Sequence, residues 1–492
     1  MAKQPHVLLF NPDQWRGDTL GHLGHPAVQT PELDRVVRED GVSITGAYCQ
    51  NPVCTPSRCS FMTGWYPHVR GHRTMHHMLR PDEPMLLRTL KRNGYYVWWG
   101  GKNDIVQPQH GFADYCDVKF AAAARTIYPN CDPNWRGEPP PVGDNFYSFY
   151  IGKLTKPAQN PVYLDDDWEP VYGLLDFLKN PPRDKPLCIF LALGYPHPPY
   201  CAEEPYYGMT DRGKVPPRVP TPTAEQWSRK PSMVRGIFER QRLQNWTEAR
   251  WAELRATYYD MCARVDHQFG LIREAMERAG LWDDTAMFCF SDHGDFTGDY
   301  GLVEKNQNTF EDCLTRVPLI VRPPKGVAVK PGVRDALAEL IDVSATVEAL
   351  TGVGPEHDHF GKSLLPVVAG TAEEHRDAVF CEGGRLRGER QAMELDSRQT
   401  PATLYWPRVG LQMGDGPEST KAVMCRTRDY KYVRRLYEKD ELYDLRRDPH
   451  ELDNRIDDPA LAAVLARMKE RTLTFFMETG DAVPRATDPR YI

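Results

Sequence analysis

The side chains with the clearest chemical potential in this sequence surround one cysteine. Cys54 opens the run Cys54-Thr55-Pro56-Ser57-Arg58. Pro56 favours a helix start at this place, and free backbone N–H groups at a helix start attract anions. Cys54, or a group made from it, could therefore act as a nucleophile, with Arg58 binding an anion beside it. From these five residues alone, a buried structural thiol ahead of a helix explains the pattern as well.

Polar side chains also follow four short apolar runs, each typical of a buried strand. Polar groups gather where strands end in open α/β sheets, so we expect these side chains to lie close together. Singly, each one also fits an ordinary exit from a strand into a loop. The runs are residues 6–10, 95–99, 187–193 and 286–291, and the polar residues after them are Asp13 and Gln14, Lys102, His197, and Asp292 with His293.

The alternation of strand-like and helix-like segments predicts an α/β fold. Its first domain, residues 1–375, should hold a large mixed, mostly parallel sheet flanked by helices. Residues 376–492 should form a smaller C-terminal α+β unit with an antiparallel sheet, because residues 428–445 alternate as a hairpin does. We further expect a helix capped by Thr30, a helix beginning at Pro56, and irregular loops over residues 121–162.

Composition excludes several classes of protein. The net charge of −7 shows no nucleic-acid footprint, and no apolar run is long enough to span a bilayer. The first five residues are too few for a signal peptide, so we expect none, although a chain whose leader had been removed would look the same. The twelve cysteines show no metal-ligand spacing. We therefore expect reduced thiols and a cytoplasmic protein without nucleic-acid or membrane partners. The composition leaves room for a homo-oligomer.

The cysteine motif is the signal that a formylglycine-generating enzyme reads before it converts the cysteine to an aldehyde. The motif, its flanks over residues 47–64, the run Ser291-Asp292-His293-Gly294 and the downstream Lys305 resemble the type I sulfatases of the alkaline phosphatase superfamily. The resemblance runs from His6 to about Asn454. It implies an alkaline phosphatase-like fold, 3-oxoalanine (formylglycine) at Cys54 and one divalent metal ion, Ca²⁺ or Mn²⁺.

The resemblance also assigns roles to residues. The hydrated aldehyde is a geminal diol: one hydroxyl attacks the ester, and the other later expels the transferred group as the aldehyde re-forms. A metal ion would activate the diol, cationic side chains would hold the anion, and His197 would protonate the departing alkoxide. The implied metal ligands are Asp13, Gln14, Asp292, His293 and the residue made from Cys54, and the implied catalytic residues are Cys54, Arg58, Lys102, His197 and Lys305.

Two departures from the commonest family pattern bear on metal and mechanism. Gln14 and His293 replace an Asp and an Asn, as in phosphonate monoester hydrolases and choline sulfatases. An imidazole ligand shifts the preference from calcium towards manganese, iron or zinc. Asp104 stands where the family has the histidine that releases sulfate from the nucleophile. Either Asp104 is the base, or a nearby histidine such as His76 or His77 replaces it, and we favour the histidine.

The leading hypothesis is a sulfatase that hydrolyses a sulfate monoester. The alternative is a phosphonate monoester or phosphodiester hydrolase, and the third is a non-catalytic binding protein with unmodified Cys54. Lys102 favours the sulfatase, because the phosphonate relatives carry neutral hydroxyl residues near this place. The substrate's alcohol could be aryl, sugar or choline-like, and the side chains expected near it are Trp65, Tyr66, His72, His76 and His77.

Overall fold

The computed structural model describes residues 4–120, 143–160, 162–390, 400–485 and 490. These residues contain fourteen strands. The strands are β1 (His6–Asp13), β2 (Val42–Tyr48), β3 (Tyr96–Gly101), β4 (Val118–Phe120), β5 (Tyr150–Leu154), β6 (Leu187–Pro196), β7 (Tyr200–Glu203), β8 (Thr285–Phe290), β9 (Leu319–Arg322), β10 (Gly332–Glu339), β11 (Val379–Gly383), β12 (Ala422–Arg426), β13 (Tyr430–Arg435) and β14 (Glu441–Asp444).

Helices connect and cover these strands. In the described ranges they are α1 (Pro31–Glu39), α2 (Cys54–Thr63), α3 (Pro67–Arg70), α4 (Leu86–Arg92), α5 (Trp168–Phe177), α6 (Ala224–Arg229), α7 (Ser232–Gln241), α8 (Glu248–Arg278), α9 (Asp312–Thr315), α10 (Asp342–Thr351), α11 (Leu365–Val368), α12 (Trp406–Gln412) and α13 (Ala462–Thr479). Searched over the same ranges, the helices include none that is long and apolar enough to cross a membrane.

The centre of the molecule is an eight-stranded sheet in the order β10-β2-β9-β8-β1-β6-β3-β4. Strand β9 pairs antiparallel with both of its neighbours, and the other neighbouring pairs are parallel. The predicted large, mixed, mostly parallel sheet is confirmed. Strands β5 and β7 form a separate two-stranded parallel sheet.

The sheet is buried on both faces, as the unbroken apolar run of β1 predicts. Val7 and Leu9 pack into one core cluster, and Leu8 and Phe10 pack into another. Successive side chains of a strand point to opposite faces, so each cluster lies on one side of the sheet. Burying each such side chain stabilises the fold by about 1.5–3 kcal/mol.

Two helices cover the two faces beside β1 and β8. The long helix α8 places Phe269 edge-on against Phe10, with ring centroids 5.3 Å apart. On the other face, α2 places Phe61 edge-on against Phe290 at 4.9 Å. Because Phe61 and Cys54 belong to the same short helix, this contact helps to fix Cys54 over the sheet.

The C-terminal part forms the predicted antiparallel sheet, in the order β11-β12-β13-β14. The hairpin of β13 and β14 pairs Tyr432 with Leu442, as the alternation of residues 428–445 indicates. Helix α13 packs on this sheet, with Phe475 stacked on Phe380 at 4.0 Å. The boundary between residues 375 and 376 stays a prediction.

Three local expectations were wrong. Thr30 does not cap α1, since its hydroxyl donates to the Asp34 carboxylate and accepts the backbone N–H of Gly21, not one of α1. Helix α2 begins at Cys54 and not at Pro56. Residues 150–154 form β5 instead of a loop, while most of the predicted loop region, residues 121–142 and 161, lies outside the described residues. The eleven cysteines of the described ranges are free thiols.

The close approach of β3 and β6 just before Lys102 requires a glycine. Gly101 has φ = 74°, and a Cβ there would lie 2.0 Å from the Ala192 carbonyl oxygen. We expect Gly101→Ala to lower the free energy of unfolding by about 2–5 kcal/mol, since backbone strain and overpacking add. Urea unfolding measures this change.

Gly111→Ala is the matched control. Gly111 also has φ = 74°, but no atom lies within 4 Å of a Cβ built on it. Only the strain of about 1 kcal/mol should remain at this position. Equal losses in the two variants would show that the contact between β3 and β6 is not what requires glycine.

Candidate active site

The carboxyl ends of β8, β1, β6 and β3 lie side by side in the sheet. They bring Asp292, Asp13, His197 and Lys102 to one edge, opposite the first turn of α2. The structure thus brings the predicted site residues together. Asp13, Gln14, Cys54, Arg58, Asp292 and His293 are all almost completely buried.

Cys54 is the first residue of α2, and its thiol faces charged groups. Its Sγ lies 3.2 Å from His293 Nε2 and 3.6 Å from Asp13 Oδ1. Burial, together with the Asp13 carboxylate, raises the pKa of the Cys54 thiol far above its ordinary value. An unmodified thiol at this place would therefore stay protonated, and a thiol is a weak nucleophile.

Arg58 lies one helical turn after Cys54 and joins the ends of two strands. Its Nε donates to Asp292 Oδ2 at 2.8 Å, and its Nη2 donates to Asp13 Oδ2 at 3.1 Å. All three side chains have no solvent exposure. Breaking such a buried pair leaves an unpaired charge, which typically costs about 3–5 kcal/mol.

Lys102 extends from the end of β3 towards the same carboxylate. Its Nζ lies 2.5 Å from Asp13 Oδ2, 2.9 Å from Asp104 Oδ2 and 3.5 Å from Cys54 Sγ. Asp104 therefore faces the site instead of turning away, and its backbone takes φ = 43° to do so. The choice between Asp104 and a histidine as the base stays a prediction.

Lys305 is buried between two of the predicted site residues. Its Nζ donates to Gln14 Oε1 at 2.6 Å and lies 2.8 Å from His197 Nε2. His197 Nδ1 lies 2.5 Å from the Pro198 carbonyl oxygen, so the hydrogen bonds assign the proton to Nδ1 and the lone pair to Nε2. Burial, and then the charge of Lys305, hold the pKa of His197 well below its usual range. His197 is therefore a neutral acceptor of the Lys305 proton.

A cluster of potential metal ligands lies beside Cys54. Ligand atoms of Asp13, Cys54, Asp292 and His293 all lie within 4.8 Å of one another. His293 Nδ1 lies 2.9 Å from the Gly294 carbonyl, which leaves Nε2 as a lone pair facing the cluster. Two buried carboxylates and a backbone-oriented imidazole fit a divalent cation.

Gln14, the remaining predicted ligand, is oriented by Asp295, a residue to which the sequence assigned no role. Gln14 Nε2 donates to Asp295 Oδ2 at 2.5 Å, so Gln14 Oε1 points away from Asp295 and towards Lys305. Tyr200 donates to the other Asp295 oxygen at 2.7 Å. Burial raises the pKa of Asp295 to about 6. Its place one residue after the Ser-Asp-His-Gly run was the available signal.

Tyr405 is a second residue that the sequence did not single out. It belongs to the turn before α12, in the C-terminal part of the chain. Burial raises the pKa of Tyr405, and the positive charges of Lys305 and Lys102 oppose this rise. The phenol is therefore within electrostatic reach of both lysines, and no sequence signal links it to them.

Two of the side chains expected near the substrate's alcohol lie beyond the far end of α2. Trp65 donates to the Asp358 carbonyl and Tyr66 to Glu339, and both lie past the far end of α2, about 15 Å from its start. His72 is buried against Glu83 at 3.1 Å. That expectation was wrong for Trp65 and Tyr66, and it stays a prediction for His72, whose loop contacts Thr55 through Met75. Among the described residues, no hydrogen bond joins His76 or His77 to Cys54 or Lys102, and their role stays a prediction.

Comparison with known proteins defines the class. The family model described as Sulfatase matches residues 5–353, which is more than half of the chain. The chain therefore belongs to the type I sulfatase family of the alkaline phosphatase superfamily. Members of this family are hydrolases that act on sulfate esters, and family membership implies a metal ion and formylglycine at the motif cysteine.

Individual relatives cover nearly the whole chain. The multifunctional alkaline phosphatase superfamily protein PehA of Trinickia caryophylli is 27% identical, over 97% of this chain and 96% of its own. The choline-sulfatase of Rhizobium meliloti is 25% identical, over 99% of this chain and 90% of its own. The solved phosphonate monoester hydrolase SpPMH from Silicibacter pomeroyi superposes with a TM-score of 0.75 at 24% identity, over 99% of this chain and 100% of its own. This last likeness establishes the fold.

Asp295→Asn tests how the Gln14 amide is held. The new amide presents N–H groups to Gln14 Nε2, so Gln14 should rotate and present Nε2 to Lys305. We expect hydrolysis to fall by about 10–100-fold, as it does when groups that orient metal ligands are lost. Steady-state kinetics on a sulfate ester measures the change.

Thr297→Val is the matched control, because Thr297 donates to the opposite Asp295 oxygen at 2.8 Å and does not contact Gln14. It should keep most of the activity. A similar loss in both variants would mean that Asp295 acts through the stability of the loop and not through Gln14.

Proposed function

We propose that this protein is a sulfatase that hydrolyses a sulfate monoester, with formylglycine made from Cys54 as the nucleophile. One observation carries the proposal: Cys54 starts a helix beside two buried carboxylates, the free Nε2 of His293 and three cationic side chains. The motif around Cys54 is the one that a formylglycine-generating enzyme would need for maturation.

Conversion of Cys54 explains why a poorly ionised thiol occupies the centre of the site. The burial that keeps the thiol protonated would not prevent a hydrated aldehyde from reacting, provided that the negative charge on its ionised hydroxyl is stabilised. The proposed metal ligands are Asp13, Gln14, Asp292 and His293. A divalent ion bound there would stabilise the ionised nucleophile and one ester oxygen.

The charges around Cys54 suit a singly charged ester. Arg58, Lys102 and Lys305 supply three positive charges, and Asp13, Asp292 and Asp104 supply three negative ones. Glu304 also lies 3.1 Å from Lys305, and Arg408 balances its charge. With a divalent cation bound, the site would have a net charge of two positive units. The negative charge of an ionised nucleophile would neutralise one of them. A sulfate monoester carries one negative charge, so it matches the remainder better than a doubly charged phosphate monoester does.

The leaving group would receive its proton from Lys305. A neutral His197 has no proton at Nε2, and the Lys305 ammonium is its hydrogen-bond donor. We therefore assign the proton for the departing alkoxide to Lys305 and the orientation of Lys305 to His197 and Gln14. Arg58 and Lys102 would hold the charge that develops on the sulfuryl oxygens.

A phosphonate monoester or phosphodiester hydrolase is the second candidate, because these substrates also carry one negative charge. The pairs Asp13-Gln14 and Asp292-His293 favour this second candidate. Relatives described as multifunctional or as phosphonate monoester hydrolases favour it too. Three esters of one alcohol separate the two: a sulfate monoester, a phosphonate monoester and a phosphodiester. We expect the highest kcat/KM for the sulfate, and a clear preference for either phosphorus ester would reverse the assignment.

Cys54→Ala removes the proposed nucleophile. We expect kcat to fall about 1,000-fold or more, since the covalent step is lost, while the fold is kept. Turnover and thermal unfolding measure the two effects. Cys59→Ala is the control, because Cys59 is equally buried on the same helix and its thiol faces the Ile105 carbonyl. Near-normal turnover by Cys54→Ala would refute the nucleophile.

Metal removal and exchange test the ligand set. Chelation should abolish activity, and manganese should restore it at least as well as calcium, because His293 offers a nitrogen ligand. His293→Asn replaces that nitrogen with an amide oxygen, so the ratio of activity with manganese to activity with calcium should fall. Full activity after metal depletion, or an unchanged ratio in this variant, would contradict the assignment.

A further inference from the structure

A second cavity with a basic lining lies apart from Cys54. It has a volume of about 510 Å³, and its lining includes Arg16, Arg255, Tyr259, Arg316 and Arg426. Cys54, Lys102, His197 and Lys305 do not belong to it. We propose that this cavity binds a small molecule that carries a sulfate or phosphate group, with Arg316 as its main anion contact.

The acidic side chains of the cavity already have cationic partners. Asp18, for example, receives two hydrogen bonds from Arg16, at 2.9 and 2.7 Å. These carboxylates are therefore not available to compensate a further arginine. The remaining pairs are Asp299 with Arg16 and Arg255, Asp312 with Arg426 and Lys431, and Glu451 with Lys431.

Arg316 is the arginine of this lining for which the described residues provide no acidic partner. Among the described residues, no hydrogen bond or ion pair reaches its guanidinium, and its buried Nε has no acceptor. The other two arginines of the lining are paired: Arg218 with Glu248 at 2.7 Å and Arg428 with Asp335 at 2.6 Å. The pairing therefore leaves one uncompensated positive charge in the cavity, at Arg316.

Further donors around Arg316 lack acceptors. The Nε atoms of Arg255 and Arg426 are buried without a hydrogen-bond partner, as is the Nε of Arg316. An unpaired buried donor is costly, and an arginine fork matches the oxygens of a tetrahedral anion. A sulfate or phosphate group supplies more acceptor oxygens than the two of a carboxylate and directs them tetrahedrally, and a chloride ion supplies none.

The cavity is larger than one inorganic anion requires. Its volume lies in the range of small-molecule sites, about 300–1,000 Å³. Tyr259 stands edge-on to His25, with ring centroids 4.6 Å apart, and Pro216 and Pro217 add apolar surface. The Asp18 side chain at the rim is 38% exposed. We infer that the ligand has an organic part that packs on these rings.

The cavity borders the active-site loop without overlapping the reacting groups. Arg16 follows Asp13 by three residues, and its Nη1 donates to the carbonyl of Phe296 at 2.9 Å and to Asp299. Arg316 accepts a backbone hydrogen bond from Gly17 at 3.0 Å. A ligand on Arg316 would therefore contact a loop that continues from two proposed metal ligands, while binding to different cations.

Titration calorimetry with inorganic sulfate, and separately with inorganic phosphate, tests this at low ionic strength. We expect two binding events in the wild type. Arg316→Gln should weaken one event at least about tenfold and keep the other, because it removes the uncompensated charge. Lys102→Ala should weaken the other event. The anion that binds more tightly to the Arg316 site identifies its preferred group.

Two further variants keep the result interpretable. Arg38→Gln, an exposed arginine on α1, should leave both events unchanged. Arg316→Lys keeps the charge but loses the fork, so it should give an intermediate affinity even if Arg316→Gln unfolds. Wild-type affinities for both anions in Arg316→Gln, or in Arg316→Lys where Gln is unfolded, would overturn the proposal. A wild type with one event, lost only in Lys102→Ala, would overturn it as well.

Discussion

The buried ion pairs of Arg58 with Asp13 and Asp292 are the interaction on which the site depends. Two carboxylates at adjacent strand ends repel each other in a low-dielectric interior, so they need a cation between them. Arg58 meets this need only when the first turn of α2 lies over the ends of β1 and β8. That position also places Cys54 against His293.

The same electrostatics explains the state of the neighbouring groups. Asp13 accepts from both Arg58 and Lys102, and the nearby positive groups hold the pKa of Asp13 well below its usual range against the effect of burial. Lys305 keeps its proton and leaves His197 neutral. The site therefore combines ionised carboxylates, a protonated lysine and two neutral imidazoles, which is the set that metal binding and proton donation both require.

The sequence predicted the parts of this arrangement that depend on local pattern. Apolar runs located β1, β3, β6 and β8, and parallel strands bring their carboxyl ends to one edge, so Asp13, Lys102 and Asp292 could be grouped in advance. The alternation of residues 428–445 likewise located the C-terminal hairpin. These features follow from periodicity, which each segment carries by itself.

Features that depend on long-range contacts were not predictable. The Gln14 amide is oriented by Asp295, and the charges of Lys305 and Lys102 act on Tyr405, which belongs to the C-terminal part. Neither relation leaves a periodic trace in the sequence. Trp65 and Tyr66 were misplaced because nearness to Cys54 in sequence was taken for nearness in space, although α2 lies between them. Thr30 had the right type for a cap, but the Asp34 carboxylate was a stronger partner for its hydroxyl.

The chemical state of residue 54 tests the proposed formylglycine nucleophile most directly. Mass spectrometry of the peptide that contains residue 54 measures this state. The sample is active protein made by a host with a formylglycine-generating enzyme. We expect an aldehyde or its hydrate at this position, in an amount that rises in proportion to specific activity. An intact cysteine thiol at position 54 in fully active protein would contradict the proposed nucleophile.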